Sequence, residues 1–113
     1  MANIERTKVE LINEVAEVVS TAGATAGKWF DFAGKDDRTC ILLANSNSSA
    51  ATVTFVAGNG LAGVADMDVS VPASKTAAIR IDSAAFKAVA GENKGGICIK
   101  SPTTVAVSVI ELP

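Results

Sequence analysis

The chain has 113 residues, which is enough for one domain of ordinary size and excludes two. Ten basic and twelve acidic residues leave a formal net charge of -2, so composition gives no electrostatic basis for binding nucleic acid or an anionic membrane. The absence of histidine and tyrosine removes most familiar catalytic and metal-binding schemes, and we expect no enzyme activity, no cofactor and no metal site.

The N-terminal residues do not have the pattern of a targeting segment. Residues 1–6 lack the basic start and long apolar run of a signal peptide. No apolar stretch approaches the roughly 20 residues that a membrane-spanning helix needs. We therefore expect a soluble protein that is made in the cytoplasm.

The first 27 residues are compatible with more than one structure. Thr7 and Glu10 have the spacing of a helix capping box. Apolar residues follow at helical spacing: Ile12, Val15, Ala16 and Val19. A short helix, an extended arm and an edge strand all remain open, and 22–27 has the composition of a small-residue linker. We divide the chain into an N-terminal arm or helix with its linker (1–27) and a β-sandwich body (28–113).

The body has the pattern of a β-sandwich. Apolar residues make up 49% of the chain but aromatic residues only 4%, which favours thin layers of small and β-branched side chains. Roughly seven short strands recur at a spacing of about 8 to 14 residues, with turn signals between them. We expect an all-β fold, a single antiparallel sandwich with one short helical turn at 82–90 that Asp82 caps.

Two strands of the body carry distinctive patterns. Residues 38–44 form a continuous apolar run, which is typical of a central strand covered on both faces. In the next strand Val53 and Phe55 alternate with Thr52 and Thr54, which predicts one buried and one exposed face. Charged residues are only 19% of the chain, below the usual ~25%, which hints that part of the surface does not face bulk water.

Acidic and glycine-rich stretches do not form recognisable sites. The acidic pair at 36–37 and the pair Asp66 and Asp68 lack the spacing of a calcium-binding loop, and we expect solvated turns there. The glycines at 58, 60 and 63 fit the spacing G-x-G-x-x-G, but no helix follows, so we expect a wide β-connection.

The two cysteines both lie in strand-like runs. We expect Cys40 and Cys98 to be small core thiols, because nothing in the sequence indicates an oxidising compartment in which they would pair. No histidine is present to activate either thiol as a nucleophile.

Four residues are candidates for contact with a partner. If the N-terminal segment is helical, its apolar face includes Ile12, Val15 and Val19, and this face packs either on the sandwich or on another chain. Alternation places Trp29 on the opposite side of its strand from Phe30, so one of these faces packs in the core and Trp29 is a possible contact residue.

Several stretches are similar to one group of proteins. They are GKWF at 27–30, RTCILLANS at 38–46, ATVTF at 51–55, VSVPAS at 69–74 and VSVIEL at 107–112, together with Phe86 and the turn at 94–95. The chain resembles small β-sandwich structural proteins of tailed bacteriophages, many of which are capsid decoration (cement) proteins. The resemblance rests on β-pattern and turn positions, and the N-terminal segment departs from it.

The resemblance implies a structural role in the virion. The expected function is binding to the outer surface of the assembled head, where the protein bridges capsid subunits after its synthesis in the bacterial cytoplasm. The implied partners are the major capsid protein and a second copy of the same chain, with no nucleic acid and no membrane. An alternative is a tail-fibre, baseplate or host-surface glycan-recognition module, for which Trp29 and the Asn/Ser-rich loop at 45–49 are the motivation.

Overall fold

A computed structural model describes residues 4–32, 36–60, 64–91 and 94–113. Within these ranges it contains nine short strands and one turn of α-helix. The strands are β1 (Arg6–Lys8), β2 (Thr21–Ala22), β3 (Lys28–Asp31), β4 (Thr39–Asn45), β5 (Ala51–Phe55), β6 (Met67–Val71), β7 (Thr76–Ile79), β8 (Gly96–Lys100) and β9 (Val105–Glu111). The helical turn is α1 (Ser83–Phe86), and a 3₁₀ turn at Asp36–Arg38 precedes β4.

The strands form two sheets. Sheet 1 has the order β1-β9-β4-β7, and β2 also pairs with β9. Sheet 2 has the order β3-β8-β5-β6. All neighbouring strands are antiparallel except β1 and β9, which are parallel. The prediction of a mainly β, mostly antiparallel two-sheet protein is confirmed. Seven of the nine strands begin at or after residue 28, and the other two lie in the N-terminal segment.

The core lies between the inner faces of the two sheets. Its largest fully buried side chains come from both: Phe30, Phe55, Ile41, Leu43, Ile97, Ile99, Val53, Val71, Val105, Val107 and Val109. The alternation predicted for β5 is confirmed, because Val53 and Phe55 are buried while Thr52 is exposed. Branched and aromatic side chains at every second position give each strand one apolar face, and burying these faces joins the sheets.

Of the structures left open for the N-terminal segment, the helix is wrong and the edge strand is confirmed, because β1 and β2 both lie at an edge of sheet 1. Thr7 does not cap a helix: it lies in β1, and its Oγ1 accepts a hydrogen bond from the backbone N–H of Val19 at 3.0 Å. Strands β1 and β2 pair with the edge of β9 that β4 leaves free. Pairing with that edge satisfies backbone groups at once, whereas a short isolated helix must first form a costly nucleus.

The prediction that the 38–44 strand is covered on both faces is also wrong. This strand, β4, is central in sheet 1 between β9 and β7, and Ile41 and Leu43 on its inner side are fully buried. On its outer side Cys40 and Leu42 are only half-buried. The continuous apolar run therefore reflects a core face and an apolar outer face, with no second layer over the latter among the described residues.

The helical turn is capped as expected but is shorter. The Asp82 side chain accepts a hydrogen bond from the backbone N–H of Ala84 at 2.9 Å, and the turn ends when Lys87 adopts an extended conformation. The turn places Phe86 against Phe55, with ring centroids 6.4 Å apart. This contact closes one end of the core.

Candidate partner-binding surface

Residues 9–20 form a loop between β1 and β2, which we call the apolar loop. Its first residue is held by the bond from Val9 N–H to the Glu111 carbonyl (2.9 Å). Its end is held by the Val19 bond to Thr7 and by the hydroxyls of Ser20 and Ser108, 2.8 Å apart. Both ends of the loop are therefore held on sheet 1, as in an Ω loop.

The apolar loop exposes an unusual number of large apolar side chains. Its exposed members are Leu11, Ile12, Val15, Val18 and Val19. Ile12 and Val15 are 85% and 94% exposed. A bond from Glu14 N–H to the Leu11 carbonyl (3.3 Å) closes a turn, in which Asn13 has a φ of 67°, a conformation that asparagine tolerates well. The turn leaves Ile12 open to solvent.

The charges of the apolar loop are all negative. It carries Glu10, Glu14 and Glu17 and no basic residue. The backbone N–H of Glu10 donates to Glu14 Oε1 at 3.3 Å, which holds that carboxylate beside the loop. At the base, Arg6 Nη1 lies 2.9 Å from Glu111 Oε2. The loop therefore combines exposed apolar side chains with acidic groups, which suits a partner surface with an apolar recess and basic residues around it.

A groove adjoins the base of the apolar loop. It has a volume of about 220 Å³ and is lined by Lys8, Val9, Glu10, Glu111, Leu112 and Pro113. Leu112 is exposed, so the apolar surface continues from the loop toward the C-terminal residues.

The four predicted contact residues fall in two places. The structure brings Ile12, Val15 and Val19 together on the apolar loop, although the helical face expected for them does not exist. Trp29 lies apart from them on the outer side of sheet 2, half-buried and paired in register with Cys98. Sequence reasoning did not single out Leu11 as a contact, although it belongs to the same apolar run.

The outer face of sheet 1 is a second apolar surface, which sequence reasoning missed. The outward positions of β4, β7 and β9 are Cys40, Leu42, Ala44, Thr76, Ala78, Ala106, Ser108 and Ile110. None of these described residues is charged. The loop anchors Thr7 and Ser108 belong to the same face, so the apolar loop and this face are contiguous.

The outer face of sheet 2 is polar by comparison. Its outward positions include Asp31, Thr52, Thr54, Asp68, Ser70 and Lys100. Thr54 Oγ1 and Asp68 Oδ1 lie 2.7 Å apart as a hydrogen-bonded pair. Trp29 and Cys98 are apolar members of the same face.

The two cysteines are free thiols, and each lies on a different outer face. Cys98 is buried, and this burial raises the pKa of its thiol; Lys100 opposes the rise and Asp66 adds to it. The Cys98 thiol is therefore protonated at neutral pH and is a poor nucleophile.

The acidic and glycine-rich stretches have structural roles where they are described. Asp66 Oδ1 accepts a hydrogen bond from Ala57 N–H at 2.7 Å. A side chain at Gly58 would collide with the backbone carbonyl of Lys87, so the glycine allows this loop to pack on the helical turn. Position 63, the last glycine of the motif, lies outside the described residues, as does the side chain of Asp36.

Among the residues described, no group of three or more cysteine or acidic side chains is placed to hold a metal ion. Within the same ranges, no helix has the length and apolar character needed to cross a membrane. Comparison with protein-family models, curated proteins and solved structures found no significant match.

Proposed function

We propose that this chain is a non-enzymatic structural protein that attaches to a larger assembly through the apolar loop. The observation that carries the proposal is the loop itself, which is fixed at both ends on sheet 1 yet exposes Ile12 and Val15 almost completely. Exposed apolar groups of this size are disfavoured in water unless a partner covers them. The resemblance to phage decoration proteins indicates the type of assembly, namely the outer surface of a bacteriophage head.

For attachment of this kind, each copy needs to contribute only a modest binding free energy. Burying one valine or isoleucine side chain contributes roughly 1.5–3 kcal/mol. The apolar loop offers five such side chains, and its acidic groups add electrostatic steering toward a basic surface. Part of this energy offsets the loss of translational and rotational freedom, so we expect each contact to be modest.

Stabilisation of the head would follow from bridging. A protein that contacts two neighbouring capsid subunits opposes their separation. If it binds the assembled shell and not free subunits, mass action shifts the equilibrium toward the shell. Many modest contacts in parallel then resist the internal pressure of packaged DNA.

The direct test is to mix the purified protein with capsids that lack it. We expect stoichiometric binding and a higher disruption temperature. The double variant Ile12→Ser/Val15→Ser should lose binding while keeping its fold, and the matched control Ser70→Ala, on the outer face of sheet 2, should bind normally. Failure to bind any expanded capsid would overturn the proposal.

Recognition of a host-surface glycan remains the alternative function. Its support is the half-buried Trp29 on the outer side of sheet 2, the face that also carries Thr54 and Lys100, which line a shallow groove of about 320 Å³. Saturable glycan binding that is lost in Trp29→Ala, with the fold intact, would favour it over attachment through the apolar loop. A flat response across a broad glycan panel would count against it.

A further inference from the structure

Strand β6 is an edge strand with one open side. Sheet 2 has the order β3-β8-β5-β6, so β6 pairs with β5 on one side and with no strand of the described residues on the other. The opposite edge of sheet 2 is partly covered, because the backbone N–H of Ile4 donates to the carbonyl of Trp29 (3.0 Å). In sheet 1 the edge strand β7 directly follows the exposed Lys75, and a lysine beside an edge strand opposes further pairing. Strand β6 contains neither a basic residue nor a proline, which leaves it the most open of these edges.

Hydrogen bonds of the neighbouring strands show which way the backbone of β5 faces. In an antiparallel sheet, the N–H and C=O groups of successive residues point to alternate neighbours. The N–H of Val56, directly after β5, donates to the carbonyl of Cys98 in β8 (3.0 Å), so Phe55 faces β6. The N–H of Ala57 agrees with this alternation, because it donates to Asp66 Oδ1 just before β6 (2.7 Å). Every second residue of β5, counted from Phe55, therefore bonds with β6.

In β6 the same alternation leaves two residues facing the open side. The β5 residues that face β6 lie opposite Met67, Val69 and Val71, so the backbone groups of these residues point to β5. The backbone groups of Asp68 and Ser70 consequently point away from β5. Their side chains are exposed, whereas Met67 and Val69 are only partly buried against the core. A strand added to this edge would bind the backbone of Asp68 and Ser70 and would cover Met67 and Val69.

We propose that β6 pairs with β6 of a second copy of the same chain, antiparallel and around a twofold axis, so that the two copies of sheet 2 join into one continuous sheet. The proposal concerns a different surface from the apolar loop and does not depend on capsid binding. A twofold interface uses the same surface on both copies, so the edge must be complementary to itself in hydrogen bonding and in charge.

One register of the two strands meets both requirements. With Val69 on the twofold axis, Asp68 of each copy lies opposite Ser70 of the other, and these residues exchange both backbone hydrogen bonds. With Asp68 on the axis, two carboxylates would lie directly opposite each other. With Ser70 on the axis, Asp68 would lie opposite Pro72, which has no N–H to donate. We therefore commit to the register centred on Val69.

The outward side chains agree with this register. The hydroxyl of Ser70 lies where it donates to the carboxylate of Asp68 on the facing strand. Thr54 Oγ1 is hydrogen-bonded to Asp68 Oδ1 (2.7 Å), so the other oxygen of this carboxylate is the acceptor for Ser70. The two Asp68 carboxylates lie on a diagonal, roughly 7–8 Å apart. This is about one Debye length at physiological salt, so their repulsion is weak.

The size of the contact predicts a weak dimer. On the inner side Val69 meets Val69 of the other copy, and Met67 meets Val71, so the apolar contribution comes from a few side chains. A single strand pair stays below the roughly 1,200 Å² that separates transient contacts from stable interfaces. We expect a dissociation constant on the order of 100 µM.

Sedimentation equilibrium of the purified protein measures the dimer directly, between about 10 µM and 1 mM. Ser70→Pro removes an N–H that only the dimer uses, and an edge strand tolerates proline where the N–H side faces outward. We expect this variant to raise the dissociation constant roughly tenfold to a hundredfold. The matched control Ser70→Ala keeps the N–H and should dimerise within about threefold of wild type.

A charge exchange tests the register and does not depend on a proline. Ser70→Asp places carboxylates opposite each other across the axis and should weaken the dimer roughly tenfold. Adding Asp68→Lys places an ammonium group opposite each new carboxylate, and most of the affinity should return. Restoration in the double variant supports the register centred on Val69, and no restoration overturns it.

Amide hydrogen exchange of the wild-type protein locates the interface without any variant. Exchange at Asp68 and Ser70 should be fast in dilute solution and should slow as the concentration rises. Exchange at Val69, whose N–H points to β5, should already be slow in dilute solution. A wild-type protein that stays monomeric across the range, a Ser70→Pro variant that dimerises like wild type, or slowing at Ala78 of β7 in place of Asp68 and Ser70 would overturn the proposal.

Discussion

The outer faces of the two sheets differ far more than their inner faces do. The inner faces share one core, in which Leu43 of sheet 1 and Phe55 of sheet 2 are equally inaccessible. Outside, sheet 2 carries Asp31, Asp68 and Lys100, whereas the outward positions of β4, β7 and β9 in sheet 1 carry no charge. Folding requires only the inner faces to be apolar, so the apolar outer face of sheet 1 calls for an explanation other than folding.

The molecule therefore has one polar and one apolar outer face. The apolar loop adjoins the apolar face, because its base is hydrogen-bonded to Thr7 and Ser108 on the outer face of sheet 1. The low charge content of the chain is therefore not spread evenly over the surface. Charge is absent from the outward positions of β4, β7 and β9, whereas the apolar loop carries three glutamates.

The largest effects should come from the inner faces and should be similar in both sheets. We expect Phe55→Ala to lower the free energy of unfolding by about 3–5 kcal/mol and Leu43→Ala by about 2–5 kcal/mol, because each leaves a cavity in the shared core. Urea denaturation measures both. If only one of the two variants lost much stability, the two sheets would not share one core.

An intermediate loss in the free energy of unfolding is expected at Gly23, where the segment after β2 packs against the segment after β8. Gly23 is buried after β2, and a Cβ added there would lie 2.7 Å from the backbone carbonyl oxygen of Pro102 after β8. Gly23→Ala should therefore lower the free energy of unfolding by about 1–3 kcal/mol, which thermal or urea denaturation measures. Gly60→Ala is the control, since the described atoms nearest to its new methyl belong to the side chain of Val89, the first of them 3.2 Å away. An equal cost at both sites would contradict close packing at Gly23.

A smaller change in stability, confined to alkaline pH, should come from Cys98 in sheet 2. Burial raises the pKa of Cys98 in the folded state. Above the unfolded pKa of about 8.5, the unfolded chain loses this proton while the folded chain keeps it, so stability should fall as pH rises.

The decline should begin near that pH and level off once pH passes the raised folded pKa. Denaturation midpoints of wild type and Cys98→Ala between about pH 7 and 10 measure it, and the variant should show a shallower decline. Parallel curves for the two proteins would contradict the raised pKa.

The smallest effect should come from the tip of the apolar loop. Val15 is 94% exposed and contributes almost nothing to the core, so Val15→Ser should leave the free energy of unfolding within about 0.5 kcal/mol of wild type. Binding of a hydrophobic dye such as ANS should decrease in the same variant. A clear loss of stability would mean that the loop packs on the body and is not a free contact surface.

Much of the fold could be predicted because strand patterns are local. The alternation of Val53 and Phe55 with threonines, and the cap at Asp82, depend on residues that are neighbours in the chain. The N-terminal segment could not be predicted in this way. Its pattern suits a helix, an arm or an edge strand, and the choice depends on the edge of β9, about a hundred residues later, as the Arg6–Glu111 ion pair shows.

The candidate surface was predicted in part. Ile12, Val15 and Val19 were recognised as apolar residues without an evident place in the sandwich, and the structure exposes two of them almost fully. The reason given was a helical face, whereas the structure has a loop held by Thr7 and Ser108.

The sequence by itself determined that the chain forms a two-sheet β protein with a small-residue core and few reactive groups, because side-chain alternation and composition are properties of the chain alone. Only the tertiary structure decided which strands are neighbours. Register places Leu42, Ala78 and Ser108 on one face although they are far apart in sequence. An apolar face of this kind is a property of strand order, and strand order depends on long-range pairing that no local pattern records.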